Sequence, residues 1–165
     1  MPFDPKAYGP EIAAILALDG DGRRPMALTR PTCVSDQARP RIAEAKIPET
    51  LRAGLYLYFG CWDDAHEVAQ NIETREGSYW HAIVHRQEPD AGNAAYWFGQ
   101  VGEHPIYAEL AAATGAPWNP RAFVQLCHEA HGAAEARARE LQLLEWQTLF
   151  DYCARAGRAM SESSL

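Results

Sequence analysis

Several signatures are missing from the chain, and each absence removes a class of function. No apolar run reaches the length that a bilayer-spanning helix needs, and the opening MPFDPKAYGPEIAA has no basic start followed by an apolar stretch. A soluble, cytoplasmic protein with no membrane partner is expected. No two cysteines stand as CxxC; Cys33, Cys61, Cys127 and Cys153 are widely separated, which excludes zinc-ribbon and thioredoxin-type motifs and leads us to expect reduced thiols. Basic residues are in deficit, with a net charge of −7, so no phosphate-backbone partner is expected. Arg137, Arg139, Arg155 and Arg158 are interleaved with Glu135, Glu140 and Glu145, the pattern of a solvated helix face. The Asp19-Gly20-Asp21-Gly22 run lacks the later ligands of an EF-hand and reads as a turn. Strand-like alternation is nowhere sustained.

What is present is a large apolar and aromatic content. Five Trp, seven Tyr and five Phe within 165 residues are enough for one packed core, and the length suits one helical domain over 1–165. Helical spacing and capping residues predict an all-α fold, a compact bundle of about seven or eight helices. The predicted helices cover 10–18, 48–60, a stretch from Trp62 to Ile72, 78–88, a stretch from Asp90 to Gly102, 106–114, 121–131 and 136–156. Prolines at 25, 31 and 40 predict an extended loop or arm over 23–47, and 161–165 reads as a flexible tail.

The block from Gly77 to Pro105, GSYWHAIVHRQEPDAGNAAYWFGQVGEHP, carries the densest chemistry. Ser78 is placed to cap its first helix, Pro89 stops that helix, and Asp90 caps the next, giving a helix hairpin. This hairpin resembles one tetratricopeptide or Sel1-type unit, and neither flank repeats it with the same spacing, as a solenoid would require. The block is also similar to a group of uncharacterised bacterial and fungal proteins. The matching runs are Ser78 to Ile83, His85-Arg86, Glu88 to Asp90, Asn93-Ala94, Tyr96 to Phe98, Val101-Gly102, His104-Pro105 and Glu145 to Cys153. The resemblance implies a family without implying an activity.

Three functional readings follow from these residues. In the first, His81, His85, Arg86, Asn93 and Tyr96 line a polar pocket on the hairpin that takes a small molecule or anion, with Asp63, Asp64 or Glu67 able to orient a histidine for acid–base work. In the second, a divalent transition metal is held by His81 and His85, one turn apart on a helix face away from its apolar stripe, as in a metal-dependent hydrolase; His128 and His131 form a second such pair. Here HAIVH replaces the HExxH pattern, so the glutamate that acts as base in that motif is missing. In the third, the chain is a non-catalytic protein–protein interaction module, compatible with a homodimer, with Trp118 as an anchor. Whether the protein is an enzyme stays open at this level.

Overall fold

The structure, a computed structural model, describes residues 2–163. Among these there are nine α-helices and no strand: α1 (Pro10–Leu16), α2 (Ala38–Glu44), α3 (Glu49–Tyr58), α4 (Trp62–Gln70), α5 (Arg75–Gln87), α6 (Ala91–Val101), α7 (Ile106–Thr114), α8 (Pro120–Glu129) and α9 (Ala133–Ser163). No helix is long and apolar enough to cross a membrane, among the described residues. The all-α expectation holds. The hairpin of α5 and α6 is present, and its tetratricopeptide-like character rests on the sequence resemblance alone.

Local chemistry explains several of the helix ends. Asp90 accepts from the Asn93 amide at 3.1 Å to begin α6, and Asn119 accepts from the Arg121 and Ala122 amides at 3.0 and 3.1 Å to begin α8. Gly115, left-handed at φ 76°, closes α7. Four boundaries differ from expectation. The arm over 23–47 contains α2, because Pro40 falls in that helix's first turn, where no amide hydrogen is required, and Ala38 and Ile42 are buried. Helix α5 is capped by Thr74, whose hydroxyl accepts from the Gly77 amide at 3.3 Å, so Ser78 lies inside the helix. Gly77 permits this: a side chain there would collide with the Ile72 carbonyl. Helix α8 ends at Glu129, since Ala130 is extended at ψ 138°. The tail expected over 161–165 is helical as far as Ser163, and its last two residues lie outside the described set.

The centre of the bundle is α5. Every residue from Tyr79 to Gln87 is buried, with α3, α4, α6 and α8 packed around it. Gly54 of α3 makes close approach possible: a methyl group there would lie 2.9 Å from both Phe150 and Trp80, and its carbonyl accepts from Trp146 Nε1 at 2.8 Å. Trp80, Trp146, Tyr58, Phe59 and Phe150 are all nearly inaccessible and form the middle of the core.

A buried polar network ties α5 to α9. Arg86 donates to both Glu145 oxygens, at 2.7 and 3.2 Å, and to Gln142 at 3.1 Å, while Tyr79 donates to Glu145 at 2.9 Å. Neither side chain of the ion pair has any exposure. Arg86 was expected beside the histidines; it points instead toward α9, with its guanidinium over the Phe123 ring at 4.7 Å.

The arm folds back and is covalently tied down. Cys33 and Cys61, 28 residues apart, form a disulfide, while Cys127 and Cys153 are free and buried. The expectation of four reduced thiols is thereby corrected: wide sequence spacing concealed the return of the arm to the turn between α3 and α4. Val34 donates its amide to the Phe59 carbonyl at 2.8 Å, and Arg39 pairs with Asp64 at 2.8 Å.

Removing one member of the buried pair strands the other. Arg86→Met should cost about 3–5 kcal/mol in urea denaturation, and the double variant Arg86→Met, Glu145→Leu should recover much of that loss. A single-variant loss below about 1 kcal/mol is the level of an exposed pair and would contradict a fully desolvated one.

Candidate metal centre

The sequence places His66 on α4 and His81 and His85 on α5, fifteen or more residues apart; the hairpin of α4 and α5 brings them together. One ring nitrogen from each lies within 4.8 Å of the other two. The Nε2 atoms of His66 and His81 are 3.2 Å apart. His81 and His85 are only 5 % and 6 % exposed, which corrects the expectation that they stand on an open polar face. That face of α5 is covered by α4 and α6 rather than by water.

Aromatic side chains fix the rings. Trp97 of α6 stacks on His81 with centroids 4.0 Å apart and planes at 24°, and Trp62, at the first position of α4, stacks on His66 at 5.3 Å and 9°. Trp62 also donates its indole hydrogen to the Val84 carbonyl at 2.8 Å, locking α4 to α5 at the level of the site. The His85 Nδ1 atom is 2.8 Å from the Glu88 carboxylate. That contact makes Nδ1 the donor and leaves the lone pair on Nε2, the usual arrangement behind a metal-bound imidazole.

The electrostatics favour uncharged rings. Burial, then the neighbouring His85 and His66, brings the His81 imidazole down to about 4. His66 is lowered as well, first by burial and then by His85, while Glu88 and Asp63 act in the opposite sense. The Nδ1 atom of His81 is buried without a hydrogen-bond partner. The polar contact with His66 is made through Nε2, and it leaves Nδ1 on the other edge of the ring unsatisfied. The result is three imidazoles crowded together, with His66 and His81 held toward the neutral form, and imidazole is a ligand type that suits zinc and its neighbours.

The other expected residues are not part of this cluster. Asn93 is exposed and its side chain faces Asp90 at 3.4 Å; Tyr96 is 57 % exposed and touches Trp97 edge-on. With Arg86 in the opposite half of the core, the five-residue pocket does not assemble. His128 and His131 do not pair either: His128 Nε2 donates to the Arg86 carbonyl at 2.8 Å, and His131 lies beyond the end of α8, exposed, against the Glu129 carbonyl. Trp118 is partly buried against Phe123 at 4.9 Å, so it fills the base of α8 instead of projecting as an anchor. His66 and Glu88 are the members that sequence reasoning passed over. Their signals were weak but legible: His66 shares a helix face with Trp62, and Glu88 follows His85 by three. No family model, curated protein or solved structure matches the chain.

The depressed His81 value has a definite consequence for the metal-free protein. The unfolded chain takes up the proton first, so the stability contributed by neutral His81 is whole above the free value of 6.5 and is lost as pH falls toward about 4. Between pH 7 and 4.5, chelator-treated His81→Asn should therefore lose less stability than the metal-free parent. An equal acid loss in both would mean that His81 titrates as a free imidazole.

Proposed function

We propose that the chain is a metal-dependent helical protein in which His66, His81 and His85 bind one divalent first-row ion, zinc by preference. The observation that carries this reading is the 3.2 Å separation of the His66 and His81 Nε2 atoms. At zinc–nitrogen distances of about 2.0–2.1 Å, tetrahedral ligands stand roughly 3.3–3.4 Å apart, so this edge already has ligand spacing. The remaining edges are at most 4.8 Å, and His85 closes them with a side-chain movement on the order of 1–2 Å.

Three protein ligands with a fourth position left over define the catalytic rather than the structural kind of zinc site. An ion held there by imidazoles would keep its full double charge and would acidify a bound water toward neutral pH, which supports a reading in hydrolytic or hydration chemistry. This chain contributes the orientation. Trp62 and Trp97 hold two of the rings by stacking, and Glu88 sets the tautomer of the third.

Isothermal titration of chelator-stripped protein with zinc should give one equivalent of tight binding. His66→Ala, His81→Ala and His85→Ala should each abolish it, and Glu88→Gln should weaken it by roughly 10–100-fold without changing the stoichiometry. Retention of one tight equivalent in the His66 variant would defeat the three-histidine assignment.

A further inference from the structure

We infer that the Cys33–Cys61 disulfide is a redox control on the histidine centre; this rests on the metal reading just given. Cys33 is exposed on the arm, whereas Cys61 is buried immediately before Trp62, the residue that stacks on His66 and donates to Val84 of α5. The disulfide is thus one residue away from the side chain that joins both ligand-bearing helices.

The rest of the arm grips the end of α5, the turn between α3 and α4, and α4 itself. At its start the Arg30 amide donates to the Gln87 carbonyl at 2.7 Å, next to Glu88, which orients His85. Further on, Val34 bonds to Phe59 at 2.8 Å, and Arg39 pairs with Asp64, two residues before His66. Residues 30–39 therefore run as a strap from the end of α5 to the start of α4. Its single covalent attachment is the disulfide. The Arg39 side chain is 58 % exposed, so its ion pair holds the strap only weakly.

Opening the strap needs a dithiol reductant and is an ordinary exchange. A thiolate of the dithiol attacks the exposed Cys33 sulfur, the Cys33–Cys61 bond breaks, and Cys61 departs as a thiolate that takes up a proton. The second thiol of the reductant then displaces Cys33, leaving two protein thiols and the reductant as its own disulfide, with two electrons transferred. A disulfide oxidant of the same class reverses the change. With the bond open, the turn before α4 is no longer tethered, and Trp62 holds His66 less firmly. The reduced protein then binds metal less tightly than the disulfide form.

Cobalt(II), followed by its visible spectrum, tests this on the full chain. The disulfide form is compared with protein reduced by a phosphine that is then removed, and with Cys33→Ser, an independent route to the same open strap. Both open forms should bind cobalt roughly tenfold or more weakly, keep an all-nitrogen spectrum without a thiolate charge-transfer band, and regain affinity when the reduced parent is reoxidised. Affinities within about twofold of each other, with binding still abolished by His66→Ala, would overturn the redox control and leave the metal site standing. A thiolate band in the reduced form would also overturn it, because the cysteines would then be ligands. So would loss of the near-ultraviolet circular dichroism on reduction, which would make the disulfide a structural staple. Absence of cobalt binding in every form would remove the metal site and its control together.

Discussion

Helix α5 is buried on all sides from Tyr79 to Gln87, about its last two and a half turns, and that single constraint shapes the rest of the molecule. A helix wrapped by others cannot turn its polar side chains to water, so each must find a partner inside or cost several kcal/mol as an orphan. Between Tyr79 and Gln87 the sequence nonetheless places two histidines, an arginine and a glutamine. On one side the solution is ionic: Arg86 meets Glu145, with Tyr79 and Gln142 adding hydrogen bonds to the pair. On the other side there is no buried carboxylate, and His81 and His85 meet a third imidazole from α4.

The two solutions differ in what they can do. In the arginine–glutamate network both Glu145 oxygens are engaged and, of the guanidinium nitrogens, Arg86 Nε lacks a partner; a buried ion pair of this kind specifies packing more than it serves chemistry. The histidine cluster is not closed. Its rings are held by indoles and by Glu88 from outside, three imidazoles face one another within it, and one ring nitrogen has no partner. Keeping the carboxylate behind His85 lets the protein orient a ligand without neutralising an ion in the centre.

The helices themselves were legible in the sequence because caps and turn residues act locally: Asp90, Asn119 and Gly115 mark ends that the structure keeps. Pro40 misled because a proline in a helix's first turn looks, by type alone, like one that breaks it. The site was only half legible. The i, i+4 spacing of His81 and His85 identified two members, since helical geometry alone puts them on one face. The third came from another helix, and Asn93 and Tyr96 were drawn in by a shared hairpin that does not turn them inward. Arg86 shows the same limit: adjacency to His85 in the sequence means about 100° of rotation around α5, enough to carry it off the histidine face and toward α9. The disulfide was hidden for the reverse reason, since 28 residues of arm separate two sulfurs that tertiary packing makes neighbours.

The central claim is that three imidazoles share one ion, and anomalous diffraction from crystals grown with zinc, recorded on either side of the zinc edge, tests it most directly. The account predicts a single peak about 2.0–2.1 Å from a ring nitrogen of each of His66, His81 and His85. A peak seated instead on Glu88 and Asp90, or no peak between α4 and α5, would contradict it.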